Sequence, residues 1–277
     1  MKNYLLIVLL IFVHYVSFAQ GLENVIVERY YITDRNDARG EDANAIEVNS
    51  ITYRVFVDMK PGYNLQSVFG SPDHALSLST STYFYNQTTN GNYIPNLITE
   101  SNLTNNTVML DSWISIGAGS QLHYAVLKAD DDTIPSVIWS SKSGYLISRN
   151  PLAGIPLTEK DGLVKLIDLP PRVTQVGIDS LLNDLNSVSM KRDGYKFITE
   201  NGGWGCIGGA RGVDSLTNRV CIGQFTTNGD FHFEFNIQIG SPEHGVEQYV
   251  ARNASGKEIL NEGLIISFPK MSESKLK

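Results

Sequence analysis

Residues 219–244 read RVCIGQFTTNGDFHFEFNIQIGSPEH, and the reading of this stretch decides the fold. Phe231, Phe233, Phe235, Ile237 and Ile239 alternate with His232, Glu234, Asn236 and Gln238. Successive side chains of a strand point to opposite faces, so a period of two means one buried face and one wet face. Asn228-Gly229 comes just before this row. Asn-Gly favours a type I′ hairpin turn, because both residues tolerate positive φ. With those two residues as the loop, Thr227 pairs with Asp230, Gln224 with Phe233, Ile222 with Phe235 and Val220 with Ile237. Val220 and Ile222 then share the apolar face with the phenylalanines, and Cys221 faces the other way, near Asn236. The expectation is a long β-hairpin. It must pack on another sheet, because a two-stranded ribbon is not stable alone.

The flanking sequence carries the same texture. Residues 25–32, 52–59, 65–69, 76–85, 108–116, 122–127, 136–139, 145–147, 195–198 and 263–268 read as strands bounded by Gly, Pro, Asn and Asp turn signals. Val176, Leu181, Leu182 and Leu185 predict one short amphipathic helix. The fold class expected is all-β: an antiparallel β-sandwich, one large or two in tandem. A change of texture near Asn150 divides the chain into residues 20–149 and 150–269, as two β-rich domains or two halves of one. Residues 270–277 are expected to be a disordered tail.

Residues 1–19 have the pattern of a secretory signal peptide. Lys2 supplies the charge, residues 5–13 are apolar, and Ser17-Phe18-Ala19 is a small-x-small cleavage site. The apolar run is too short for a membrane span, so the mature chain is expected to be secreted, extracellular or periplasmic. A net charge of −7 argues against nucleic acid and anionic membrane surfaces as partners. In an oxidising compartment Cys206 and Cys221 are expected to form a disulfide. Closing a loop of about 15 residues would contribute about 3 kcal/mol in the chain-entropy model. The bridge would fasten the Gly-rich run 202–209 to the hairpin's polar face.

Candidate chemistry is sparse. Phe69-Gly70-Ser71-Pro72-Asp73-His74 is echoed by Ile239-Gly240-Ser241-Pro242-Glu243-His244. Asp73, His74, Glu243 and His244 are therefore candidate metal ligands, against the bland reading of polar turns. His232, Glu234 and Asn236 form a polar row suited to a sugar or a cation, against an ordinary solvated face. Trp204, flanked by glycines, is the candidate exposed ring for stacking a sugar. Asp130-Asp131-Asp132 is the candidate calcium turn, although it lacks the alternating acids, central Gly and distal Glu of an EF-hand. No motif indicates any other cofactor. There is no Gly-x-Ser-x-Gly elbow and no His-Glu-x-x-His, and the Gly-rich run lacks the Gly-Lys-Ser/Thr ending of a phosphate loop.

Thr52-Tyr53-Arg54-Val55-Phe56-Val57-Asp58-Met59, Pro61-Gly62-Tyr63 and residues 65–70 resemble a group of secreted β-rich Bacteroidetes proteins. So do Asn218-Arg219-Val220, Thr226-Thr227, Phe233-Glu234 and Gln238-Ile239. The resemblance implies export and an extracellular β-rich module, and brings no catalytic residues. The function expected is a secreted binding or structural module, with a glycan or a cell-surface protein as partner. The alternative is an extracellular hydrolase acting on carbohydrate through a pair of carboxylates that sequence does not single out.

Overall fold

The computed structural model describes residues 20–37, 46–105, 107–134, 136–137, 146–185 and 194–271. The expected leader and residues 272–277 of the tail lie outside the described residues, as do Tyr145 and Trp139; Leu146 and Ile147, the described part of the strand expected at 145–147, are not in a strand. Sheet 1 contains β1 (Leu22–Ile32), β2 (Ile51–Met59), β5 (Trp113–Ile114) and β11 (Arg219–Thr227), in the lateral order β1-β2-β11-β5. Sheet 2 contains β3 (Asn64–Phe69), β8 (Thr174–Val176), β10 (Gly203–Ala210), β13 (Asn236–Gly240), β14 (Val246–Val250) and β15 (Ile259–Leu260), ordered β15-β14-β13-β3-β10-β8. Sheet 3 contains β4 (Leu76–Thr80), β9 (Tyr195–Thr199), β12 (Phe231–Glu234) and β16 (Ile265–Phe268), ordered β16-β12-β4-β9. A small ribbon pairs β6 (Tyr124–Ala125) with β7 (Leu163–Val164). Pairing is antiparallel except between β14 and β15.

The alternation that opened the sequence reading is real. Phe231, Phe233, Phe235, Ile237 and Ile239 are all at most 1% exposed. The hairpin is not formed. β11 lies between β2 and β5, while β12 lies between β16 and β4 in a different sheet. Neither Asn228 nor Gly229 has positive φ, so there is no type I′ turn. Gly229 is needed for space instead: a Cβ there would sit 2.7–2.8 Å from the hydroxyl oxygens of Thr80, Ser81 and Thr82. The physical reason is legible in residues 220–227, VCIGQFTT, which carry no charge on either face. A strand buried on both sides belongs in the middle of a stack, not in a ribbon with one wet face.

Sheets 2 and 3 share three chain segments. β3 runs on into β4, β9 into β10 and β12 into β13, in the same lateral order in both sheets. The joint is tight. Gly70 lies where a Cβ would be 2.2 Å from the Thr199 carbonyl oxygen. Asn236 closes the joint: its amide donates to the carbonyls of Phe69 (3.1 Å) and His74 (3.0 Å), and its oxygen accepts from Ala251 N–H (3.0 Å). These bonds satisfy backbone groups that the break in the ladder would otherwise strand.

Sheet 1 packs against sheets 2 and 3 through a core that includes Val55, Val57, Val220, Ile222, Leu78, Trp204, Phe233 and Ile237. Its other face covers a second core of Phe56, Tyr30, Trp113, Cys221 and residues from the long irregular stretch 85–163. That stretch was expected to hold strands at 108–116 and 122–127, but its described residues form two-residue strands, 3₁₀ turns and one α-helical turn. The helix expected near Leu181 is α2 (Asp179–Leu185), with Leu181, Leu182 and Leu185 buried; α1 (Glu100–Leu103) is a single turn. The three large sheets each draw strands from both sides of Asn150. Among the described residues the fold is thus largely β, with four sheets around two cores. No described helix is long and apolar enough to cross a membrane.

The expected disulfide is corrected. Cys206 and Cys221 are free thiols. Cys221 faces away from the phenylalanine row, as expected, but into the second core, whereas Cys206 lies on β10 against the first. The separate sheets of β10 and β11 keep the two sulfurs apart.

Candidate functional site

Strand pairing decides which of the expected site residues meet. His232 and Glu234 do share the outward face of sheet 3. The row through His232 is Lys196–Ser79–His232–Ser267, and the row through Glu234 is Ile198–Ser77–Glu234–Ile265. Both side chains have local partners: His232 Nδ1 lies 2.7 Å from Ser267 Oγ, and Glu234 accepts from Arg252 Nε at 3.0 Å. Asn236 continues the row but is 1% exposed, spent on the joint between the sheets. Trp204 is not an exposed platform. Its ring is 2% exposed, stands edge-on to Phe235 at 5.5 Å, and donates from Nε1 to the carbonyls of Ser115 (2.9 Å) and Ile222 (3.1 Å).

The four candidate metal ligands do not converge. The Gly-Ser-Pro turns lie at opposite ends of the β3–β13 ladder, in which Phe69 faces Asn236 and Asn64 faces Gly240. His74 is buried and paired to Glu258 at 2.9 Å, while Asp73, Glu243 and His244 are exposed. Ser255 N–H and then His74 hold the Glu258 carboxyl below its usual range. The acidic triplet also diverges: Asp130 pairs with Arg219 at 2.8 Å, and Asp131 accepts from Gly162 N–H at 2.9 Å. Among the described residues no three His, Cys, Asp or Glu side chains are placed to hold a metal.

Several carboxyls are raised by burial, the signature sought in an acid catalyst. Asp111 is fully buried and accepts N–H bonds from Gln87 (2.7 Å) and Asn92 (3.2 Å). Asp161, likewise raised by burial, accepts from Ser136 and Val137. Both are bound up in loop architecture. Asp37 is pushed up to about 7, by burial first and the charge of Asp34 next, against hydrogen bonds from Asp34 N–H and the Tyr31 hydroxyl. The folded chain therefore holds a proton that the unfolded chain releases between about pH 4 and pH 7, and stability falls as pH rises through that window. Asp37→Asn removes this slope, so its stability advantage over the native chain should grow by about 1.4 kcal/mol per pH unit there. Parallel unfolding curves across that range would place the carboxyl in water.

The surface that sequence reasoning missed is on sheet 2. An open groove of about 380 Å³ runs over β3, β10 and β8. Its floor is Gly202, Gly203 and Gly205; Phe69, Val176 and Ile207 line it with apolar surface. Val176 and Ile207 are 72% and 94% exposed. Ile207 is carried on a bulge: β10 pairs with β3 at Gly205 and again only at Ala210, and Gly208 and Gly209 between them have positive φ. Gln66, Ser67, Thr174 and Asn201 supply amides and hydroxyls. The only signal in the sequence was the glycine run, which leaves no side chain to fill the trough.

With this geometry in hand, comparison with known proteins is silent: no protein-family model, curated protein or solved structure matches the chain.

Proposed function

We propose that the chain is an exported, non-catalytic binding module built as an elaborated β-sandwich, and that its ligand is an uncharged carbohydrate held on the outward face of sheet 2. The observation that carries the reading is the groove's neutrality. None of its 14 lining residues is charged, in a chain that is 18% charged. A sugar offers C–H faces and hydroxyls. Phe69, Val176 and Ile207 suit the first, and the amides and hydroxyls of Gln66, Ser67, Thr174 and Asn201 suit the second. An ionic ligand would find no counter-charge in the trough. Export follows from the leader pattern of residues 1–19 and from the resemblance to secreted Bacteroidetes proteins.

The test is a glycan array probed with residues 20–277, with and without calcium. Binding to neutral glycans is expected, unchanged by calcium or by salt. Ile207→Asp should weaken it at least tenfold without lowering stability, since that side chain is nearly free in water. His232→Ala should bind normally. Hits confined to anionic glycans, or an array with no hits, would defeat the proposal.

A further inference from the structure

The register of sheet 2 extends the groove into a longer feature. Thr174 pairs with Gly205, Gly205 with Ser67, Ser67 with Gln238, and Gln238 with Gln248. Cross-strand partners share a face. The intervening partners Trp204, Val68, Ile237 and Tyr249 are buried in the core, so this row points outward. It crosses five strands, β8-β10-β3-β13-β14, and carries a hydroxyl, a gap, a hydroxyl and two amides. Ser67 donates to the Gln238 carbonyl oxygen at 3.3 Å, which orients that amide. The adjacent outward row is apolar in part: Val176 pairs with Gly203, and Gly203 with Phe69.

Strands are spaced by about 4.8 Å, so the row is about 19 Å long. One strand step is close to the length of one pyranose unit in an extended chain. Resting on the carbohydrate reading, we infer that the ligand is a linear, equatorially linked neutral polysaccharide that lies across the strands, one sugar ring to each strand. The rings over β8, β3, β13 and β14 each meet a hydroxyl or amide from the polar row. Gly205 is buried where a Cβ would lie 2.3 Å from the Gln66 carbonyl oxygen, so the ring over β10 passes without a side-chain partner from this row. Val176 and Phe69 contact the ring faces along one flank, and Ile207 contacts them on the other. A coiled or strongly bent glycan would leave the row after one or two steps.

The test uses the mature chain with two neutral glucose series, cello-oligosaccharides of two to six units and maltohexaose as the curved control. Affinity should rise at least threefold per unit up to about five units and then level off, and maltohexaose should bind at least tenfold more weakly than cellohexaose. Gln248 lies on β14, beyond the groove itself. Gln248→Ala should bring cellohexaose down to the affinity of a shorter oligomer and leave cellotriose unchanged. Cys206 gives an independent readout. It lines the groove and is partly exposed, whereas Cys221 is buried with its thiol pushed up to about 12. A thiol-reactive probe on the native protein therefore reports Cys206, and saturating cellohexaose should slow its labelling at least fivefold. Affinity independent of chain length, preference for maltohexaose, an unaffected Gln248→Ala variant, or unprotected Cys206 would each overturn the crossing-chain inference while leaving a neutral-glycan site standing. An array with no neutral-glycan hit removes both.

Discussion

Arg54→Ala should lower the unfolding free energy by about 3–5 kcal/mol, the range found when one member of a buried charged network is removed. Arg54 is 1% exposed in the middle of β2. Its Nε donates to the side-chain oxygen of Gln224 at 2.7 Å, and a terminal nitrogen donates to the Gly162 carbonyl at 3.0 Å. Its guanidinium lies 3.5 Å from the centre of the Tyr30 ring. The side chain thereby ties β2, β11, β1 and the 161–162 loop together across the second core. It also bears on its neighbours' charge. Burial pushes the Glu28 carboxyl up, and Arg54 followed by Lys128 draws it back down. Burial in turn brings the Lys128 ammonium down to about 8, although it still donates to the carbonyls of Tyr30 and Ala153 at 2.7 and 2.5 Å. Alanine strips out the ring contact and both hydrogen bonds and leaves two acceptors buried. Arg54→Lys should recover less than half of the loss, because a point charge on a flexible stem lacks the planar fork that reaches both acceptors while stacking on tyrosine. Urea unfolding of the three proteins measures this. A loss below about 1 kcal/mol for alanine would mean that the second core does not depend on the guanidinium.

Trp204→Ala should cost a similar amount, about 3–5 kcal/mol, from the volume removed between sheets 1 and 2. The indole also donates to two carbonyls, those of Ser115 and Ile222, where the chain just beyond β5 runs alongside β11; the Ile222 carbonyl accepts from Ser115 N–H as well. Trp204→Phe keeps much of the packing against Phe235 but takes the indole donor away from both carbonyls, of which that of Ile222 keeps its bond from Ser115 N–H, so a cost of about 1–3 kcal/mol is expected. Both variants should bind ligand normally once folded. A Trp204→Ala protein that keeps its thermal midpoint and loses only binding would restore the ring to the ligand face, contrary to its burial.

The comparison of Trp204 with Ile207 shows how far the sequence could be read. Both sit in the same glycine run, and flanking glycines suggested an exposed ring. In the structure Trp204 has the inward parity of its strand, facing Val68, and Ile207 is the residue thrown outward by the bulge. Parity on a strand follows from register, and register follows from the partner, which a run of glycines does not specify. The same holds for His74 and Glu258. They are 184 positions apart, and no local spacing announces a pair that only the joint between sheets 2 and 3 brings to 2.9 Å. Asn236 looked like one more member of a wet row, and its parity was right. Its burial comes from residues 69–75 and 251 folding over it.

What the sequence determined by itself was the local pattern. The alternation over residues 231–239, the leucine face of α2 and the strand character of β1, β2, β3 and β9 all survive in the structure. Each depends on side-chain periodicity within one element, which is set by backbone geometry and needs no distant partner. Tertiary structure decided which strand lies beside which, and so the fate of the hairpin, the disulfide and the site. Backbone hydrogen bonds are nearly the same for every strand pair and do not choose among them. The choice falls to burial. β11 is uncharged on both faces from Val220 to Thr227 and, like β2, is buried along nearly its whole length, so joining the two in the middle of sheet 1 takes both faces of each out of water, which a ribbon with one wet face would not do. Once that pairing is made, β12 and β13 are free to run through sheets 3 and 2, and the outward row from Thr174 to Gln248 is assembled from five strands of which only β13 and β14 are neighbours in the sequence.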